Sequence, residues 1–136
     1  MMSKTLIDMS WDEFYDACIY LATQIRNRGK TYSNYYSIPR GGRAIGVVLG
    51  HQLDLYEVEK AAIVPETLII DDISDNGETL HHLLRTVHPH KRPDVACLYT
   101  TPWTTYVPTY YAKTKRVKNE WILFPWETID TTEDTA

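Results

Sequence analysis

The chain has 136 residues and a mass of 15.8 kDa, which is enough for one domain with a substantial hydrophobic core. Its formal net charge of −4 argues against nucleic-acid binding driven by overall charge. We find no signal peptide, no apolar run long enough to cross a bilayer and no metal-ligand spacing around Cys18 or Cys97. We therefore expect a cytoplasmic protein with reduced cysteines and without a nucleic-acid or membrane partner.

The first predicted helix begins after Ser10, which has Glu13 three residues later in the pattern of a capping box. Gly29 is placed to end it. Apolar residues at helical spacing predict the face that packs on the core; these are Trp11, Phe14, Cys18, Leu21, Ala22 and Ile25.

A short predicted strand at 35–38 runs into Pro39, Arg40, Gly41 and Gly42, and a second helix is predicted over 43–53. Paired glycines allow the backbone to approach a ligand closely, and Arg40 adds a fixed positive charge. Taken alone, this turn is equally compatible with an ordinary strand-to-helix connection. Residues 57–63 are a weaker strand prediction.

The most informative segment is residues 67–79, in which an apolar strand ends in Asp71 and Asp72 and is followed by Asp75. A helix is predicted over 78–87, where leucines recur at helical spacing before Pro89. Carboxylates at a strand end can accept hydrogen bonds from sugar hydroxyls. Backbone N–H groups at a helix start can hold a phosphate, supported by the helix dipole.

Two other interpretations of this segment remain open. Asn76-Gly77 is a strong signal for a tight hairpin turn between two strands, and the aspartates could simply cap a surface helix. The apolar spacing after Glu78 favours the helix over the hairpin.

Further strands are predicted at 94–100 and 120–124. Strands that alternate with helices indicate an α/β single domain with a mostly parallel central sheet flanked by helices. In such folds ligands bind beyond the carboxyl ends of the strands, at a switch in strand order. We assign this domain to residues 1–127 and expect the acidic tail, 128–136, to be flexible.

Residues 67–79 resemble the signature of the type I phosphoribosyltransferases, an apolar strand followed by two acids and an Asp-Thr-Gly-x-Thr-like loop. The resemblance implies that Asp71 and Asp72 hold ribose hydroxyls, directly or through Mg²⁺, and that Asp75 accepts a proton at N7 of the base. It further implies one site for the 5′-phosphate and one for pyrophosphate. Those sites would be formed by Asn76, Gly77, Glu78 and Thr79, and by Arg40, Gly41 and Gly42, respectively.

Residues 120–127 are similar to the closing segment of the purine members of that family. By this match Trp121 stacks on the base and Ile122 reads it through its backbone, while Thr101 takes the place of a lysine that contacts the 6-oxo group. The resemblance implies transfer of phosphoribosyl from phosphoribosyl pyrophosphate to guanine, xanthine or hypoxanthine in nucleotide salvage, with release of pyrophosphate. It also implies a homodimer or higher homo-oligomer.

Two features depart from that family pattern. The interval 56–66 is much shorter than the hood loop that covers the site in the family, and Thr101 is a neutral residue. A basic cluster of Lys113, Lys115, Arg116 and Lys118 could compensate, although a solvated surface segment is the commoner origin of such a cluster. The alternatives are a nucleotide-binding or regulatory homologue without turnover and transfer to a non-purine acceptor.

Overall fold

The computed structural model describes residues 5–127. Six strands and three α-helices follow one another in the described range: β1 Thr5–Asp8, α1 Trp11–Arg28, β2 Asn34–Ser37, α2 Gly42–Leu53, β3 Thr67–Ser74, α3 Glu78–Leu84, β4 Val95–Thr100, β5 Tyr110–Thr114 and β6 Glu120–Leu123. Two short 3₁₀ turns lie at Lys60–Ala62 and Pro89–Lys91.

The strands form two parallel sheets. Four strands pair in the order β2-β3-β4-β5, and β1 pairs with β6 in a separate two-stranded sheet. The α/β class and the parallel pairing predicted from the sequence are confirmed, although β6 lies apart from the larger sheet. No helix within residues 5–127 combines the length and apolar character that a membrane span requires.

The winding of the larger sheet changes direction between β2 and β3. After α2 the chain returns to the outer edge of β2, where Tyr35 bridges Glu57 in parallel, and only then crosses to β3 on the other edge. Accordingly α2 packs on one face of the sheet and α3 on the other. The carboxyl ends of β2 and β3 therefore form the switch in strand order at which such folds bind ligands.

The larger core lies between α1, α2 and one face of the sheet, and includes Leu21, Ile45, Leu49, Leu68 and Leu98, all fully buried. Burying each such side chain contributes about 1.5–3 kcal/mol. A smaller core under α3 contains Ile69, Leu80, Val95 and Cys97.

Helix α2 approaches the sheet through glycines at four-residue spacing: Gly42, Gly46 and Gly50. A Cβ on Gly42 would lie 2.5 Å from the backbone oxygen of Ile70 in β3. The start of α2 is therefore fixed against the strand that carries the acidic residues.

Several predicted elements have the expected bounds. Ser10 and Glu13 form the predicted capping box, and Gly29 ends α1 in the left-handed region with φ 75°. The hairpin interpretation of 67–79 is wrong, because Gly77 leads directly into α3.

Other predictions were wrong. Residues 57–63 form only the bridge at Glu57 and a 3₁₀ turn, α3 ends at Leu84, and Trp11 is 58% exposed rather than in the core. Strands β1 and β5 were not predicted, because both are short and mix polar with apolar residues. The predicted tail, 128–136, lies outside the described residues.

Candidate active site

A cavity of about 380 Å³ opens beyond the carboxyl ends of β2 and β3. It is lined by the turn after β2, the end of β3 and the start of α3: Ile38, Pro39, Arg40, Gly41, Asp71, Asp72, Ile73, Ser74, Asp75, Asn76, Gly77, Thr79 and Leu80. Segments that are far apart in the sequence are thus brought to one place by the parallel pairing of β2 with β3.

The acidic pair lies at the centre of this edge. Asp71 is buried, and its Oδ1 accepts a hydrogen bond of 2.8 Å from the backbone N–H of Asp72. Burial, and then the neighbouring charge of Asp72, raise the pKa of Asp71 to about 8. Both causes disfavour the charged form of Asp71, so a bound cation would stabilise that form.

This donor set fits a hard divalent cation. Mg²⁺ binds oxygen ligands, commonly through one or two protein carboxylates together with waters and substrate phosphates. Within residues 5–127 no cluster of three or more His, Cys, Asp or Glu side chains could hold a metal ion. A cation at Asp71 and Asp72 would therefore take its remaining ligands from substrate and water.

The phosphate turn, residues 75–79, is shaped by Gly77, which has a φ of 88° that favours glycine. Asn76 stabilises the turn by accepting a hydrogen bond of 3.0 Å at its Oδ1 from the backbone N–H of Glu78. Because the first N–H groups of an α-helix have no partner within the helix, the start of α3 can donate to an anion in the cavity.

The turn after β2 lies directly against the acidic pair. A Cβ on Gly41 would be 2.1 Å from Oδ2 of Asp72, so only glycine leaves that carboxylate in its place. The peptide bond between Pro39 and Arg40 is cis. This turn adds the positive charge of Arg40 to a cavity that otherwise carries carboxylates.

The carboxylate of Asp75 is held by one side chain from the segment between β4 and β5 and by another that follows β5. Its Oδ1 accepts a 2.9 Å hydrogen bond from Nε1 of Trp103, and its Oδ2 accepts a 2.8 Å hydrogen bond from Nζ of Lys115. Partial burial raises the pKa of Asp75, but the hydrogen bonds from Lys115 and Trp103 outweigh it, so the pKa lies below its usual range. Asp75 therefore stays ionised as a hydrogen-bond acceptor.

A second cavity of about 460 Å³ is lined by residues of β1, β4, β5, β6 and the segment after β5: Ile7, Tyr99, Ala112, Lys113, Thr114, Lys115, Arg116, Glu120 and Ile122. Lys115 lines this cavity, while its ammonium group bonds Asp75 in the first. The Lys115–Asp75 ion pair therefore lies between the two cavities.

Several known proteins are similar to this chain in sequence or in fold. The xanthine-guanine phosphoribosyltransferase of Gluconobacter oxydans is 26% identical over 145 aligned positions, which cover 88% of this chain and 83% of that protein. A purine phosphoribosyltransferase from Pyrococcus horikoshii superposes with a TM-score of 0.75 at 27% identity, covering 92% of this chain and 95% of that one. The Helicobacter pylori xanthine-guanine-hypoxanthine enzyme shares the fold, with a TM-score of 0.74 at 20% identity over 96% of this chain and 99% of that one. No family model matches the sequence.

These similarities in sequence and fold support a type I phosphoribosyltransferase that is similar to the purine enzymes. The acidic strand end, the phosphate turn and the glycine turn all contribute residues to the lining of one cavity. The interval between α2 and β3 contains only the bridge at Glu57 and one 3₁₀ turn, so the hood is short.

Other predicted site residues are placed differently. Gly42 and Glu78 do not line the first cavity. Thr101 is buried, and its hydroxyl donates to the backbone oxygen of Asp75, so that its hydroxyl is used within the protein rather than turned to a base. Ile122 lines the second cavity, whereas the ring of Trp121 is half-exposed beside neither of the two.

Two functional candidates were missed or undervalued in the sequence. The basic run around Lys115 is typical of a solvated surface segment, yet Lys115 is only 8% exposed and faces Asp75. Trp103 was not considered. The sequence signal for β5, the strand that leads to Lys115, is weak, because Tyr110–Thr114 mixes polar with apolar residues although burial alternates along it in the structure.

Proposed function

We propose that this phosphoribosyltransferase transfers 5-phosphoribosyl from phosphoribosyl pyrophosphate to a 6-oxopurine, namely guanine, xanthine or hypoxanthine. The observation that carries the proposal is the acidic strand end and phosphate turn facing the Arg40 turn across one cavity, with the Lys115–Asp75 ion pair at its border. The similar proteins from Gluconobacter oxydans and Pyrococcus horikoshii are purine enzymes, which supports the acceptor class. Salvage of bases in the cytoplasm is the setting that we infer.

The sugar phosphate would be held from three sides. Asp71 and Asp72 bind the ribose hydroxyls, the phosphate turn binds the 5′-phosphate, and Arg40 with Gly41 and Gly42 binds pyrophosphate. When bound, Mg²⁺ would neutralise charge on the departing pyrophosphate and on the acidic pair. Most of the rate enhancement would come from positioning and charge stabilisation, because no covalent intermediate is needed.

The base would lie at the border of the two cavities. In the reaction the N9 lone pair forms the bond to C1′ of ribose, the C1′–oxygen bond breaks with its electrons leaving on pyrophosphate, and the N7 proton passes to Asp75. Lys115 donates to the 6-oxo group, which supplies the positive group missing at Thr101. Ile122, which lines the second cavity, reads the base through its backbone.

Asp75 can serve the base without losing its protein partners. A carboxylate has about four acceptor sites on its two oxygens, and two are occupied by Trp103 and Lys115. The side chain is 43% exposed, so a base has access to the remaining sites.

A second candidate function is nucleotide binding without turnover. The short interval between α2 and β3 favours it, because the family's chemistry needs shielding from water at the ribosyl carbon. Transfer to a non-purine acceptor was suggested by Thr101, but Lys115 now provides a donor for a 6-oxo group.

The experiment is to incubate the protein with Mg²⁺, phosphoribosyl pyrophosphate and each of guanine, hypoxanthine, xanthine and adenine, and to follow nucleotide formation. We expect product with a 6-oxopurine and little with adenine, and a loss of about 100-fold or more in Asp75→Ala and Asp75→Asn. Binding of nucleotide monophosphates without product would support the second candidate. Product that is unaffected by either Asp75 variant would overturn the assignment of the proton acceptor.

A further inference from the structure

The connector between β4 and β5, residues 101–109, packs along the outer side of the phosphate turn. Thr105 donates twice to the backbone oxygen of Asn76, from its N–H at 3.1 Å and from its hydroxyl at 2.7 Å. The hydroxyl of Thr101 donates to the backbone oxygen of Asp75. The fit is close, since a Cβ on Gly77 would lie 2.7 Å from the backbone nitrogen of Tyr106.

These contacts fix the direction of two peptide groups. In a trans peptide the C=O and the following N–H point in opposite directions. Because the carbonyls of Asp75 and Asn76 point at the connector, the N–H groups of Asn76 and Gly77 point away from it. Asn76 and Gly77 line the cavity, so those N–H groups are aimed at the place of the anion.

The same connector orients the carboxylate of Asp75. The indole N–H of Trp103 donates to Oδ1, while Lys115 holds Oδ2 from β5. Two ammonium groups lie over the indole ring, Lys115 at 5.9 Å and Lys118 at 5.5 Å from its centroid, and they help to keep the ring in place. His81 of α3 supports the connector by donating from Nε2 to the backbone oxygen of Thr105.

We propose that the 101–109 connector is the positioning element of the site, with Trp103 orienting the proton acceptor Asp75 and Thr105 orienting the phosphate-binding N–H groups. The inference rests on the proposed function, because it assigns those groups their roles. It extends that function by naming two positioning residues that touch no substrate. It also predicts that the two roles can be separated, since different atoms of the connector hold the carboxylate and the turn.

The first test is Trp103→Phe, which keeps an aromatic ring and removes the N–H donor. We expect kcat to fall about tenfold with an unchanged KM for phosphoribosyl pyrophosphate, because the loss is of orientation at the base. The charged groups facing Asp75 are Lys115 and Lys118, and both remain. With one donor fewer, the pKa of Asp75 rises, so the acid limb of the kcat/KM profile moves to higher pH. The matched control is Trp11→Phe on α1, which should change neither quantity.

The second test is Thr105→Val, which removes one of the two hydrogen bonds to Asn76. Thr105 is exposed, so the variant should fold. We expect the Kd for phosphoribosyl pyrophosphate to rise about three- to tenfold with little change in kcat. Thr23→Val is the control, since the Thr23 hydroxyl also donates to a backbone oxygen, that of Ile19 in α1.

A failure of the proposed function and a failure of this inference would give different experimental results. If the wild-type protein forms no nucleotide with any purine, the proposed function fails. The inference is then tested by the NMR titration of the Asp75 carboxyl carbon in Trp103→Phe and by calorimetry of phosphoribosyl pyrophosphate with Thr105→Val. An unchanged titration and unchanged affinity in the two variants would overturn the inference. A parallel loss of kcat and affinity in both variants would also overturn it, because that result indicates only general support of the fold.

Discussion

Asp71 and Asp75 lie on one strand-to-helix segment, yet their surroundings push their ionisation in opposite directions. Burial beside Asp72 raises the pKa of Asp71 to about 8, whereas hydrogen bonds from Lys115 and Trp103 bring the pKa of Asp75 below its usual range. The surroundings therefore disfavour a negative charge on Asp71 and favour one on Asp75. Sequence position alone does not distinguish them, since both are aspartates in an acidic run.

At this scale the first prediction concerns Lys115→Met. Removing the ammonium group takes a donor from Asp75 and a partner from the 6-oxo group, so kcat/KM for the purine should fall about 10- to 100-fold. The pKa of Asp75 rises, and the acid limb of the kcat/KM profile moves to higher pH. Steady-state kinetics across pH measures both effects. Lys113→Met is the control, because Lys113 lines the same cavity but is exposed; an equal loss there would show that overall charge matters rather than the ion pair.

Among the elements, helix α2 positions the glycine turn through its contact with β3. In Gly42→Ala the new Cβ would meet the backbone oxygen of Ile70 at 2.5 Å, and backbone atoms in the middle of a sheet cannot move aside easily. We expect a loss of about 1–3 kcal/mol in the free energy of unfolding, measured by urea denaturation. Val47→Ala at an exposed position of the same helix should change it little. A Gly42→Ala protein as stable as the wild type would show that α2 is free to shift.

The opposite end of the sheet is joined by a polar network around Asp94. Its Oδ2 accepts hydrogen bonds from Lys30 at 2.7 Å and from the Tyr32 hydroxyl at 2.5 Å, and Tyr32 also bonds the hydroxyl of Tyr110 at 2.8 Å. Partial burial raises the pKa of Asp94, but the hydrogen bonds from Lys30 and Tyr32 outweigh this effect. The pKa of Asp94 is therefore depressed in the folded state. The network ties the segment after α1 to β4 and β5.

We predict that Asp94→Asn destabilises the protein by about 1–3 kcal/mol at pH 7. A carboxylate whose pKa is depressed by folding contributes stability above its unfolded pKa, and that contribution is lost as pH falls through the folded value. The difference between wild type and variant should therefore narrow below about pH 4. Urea denaturation at pH 7 and pH 3 measures this difference in the free energy of unfolding, with Asp16→Asn on the exposed face of α1 as the control. A difference that is independent of pH would exclude ionisation as the cause.

In the molecule as a whole, the candidate site lies where the winding of the sheet reverses. A ligand in that cavity would contact the turn after β2, the end of β3 and the start of α3 together, and so stabilise the folded chain. A ligand that binds only the folded state, and whose concentration is 100 times its Kd, raises the free energy of unfolding by about 2.7 kcal/mol. For a chain of this size, that corresponds to a rise in Tm of about 5–10 °C. We expect this rise with Mg²⁺ and phosphoribosyl pyrophosphate together, and a smaller one with either alone. Thermal denaturation of Asp72→Asn, in which the rise should disappear, provides the control. Equal rises in the variant would place the cation elsewhere.

The local signals of the sequence were reliable where they depend on neighbouring residues. The capping box at Ser10 and Glu13, the αL residue Gly29 and the strand-to-helix passage through Gly77 are set by hydrogen bonds and backbone preferences within a few positions. The acidic strand end and its turn could be predicted for the same reason. The predicted helix at 78–87 was too long, since α3 ends at Leu84.

By itself the sequence determined the α/β class, the first and second helices and the strand-to-helix segment at 67–79, because each depends on short-range periodicity and turn chemistry. Only the tertiary structure decided that Lys115 is buried against Asp75 forty residues away, that Thr101 supports the turn and that Trp103 holds the carboxylate. The physical reason is that desolvation and ion pairing depend on distance in space. A lysine in a basic run becomes a buried partner only when parallel pairing of β3, β4 and β5 brings their carboxyl ends to one edge.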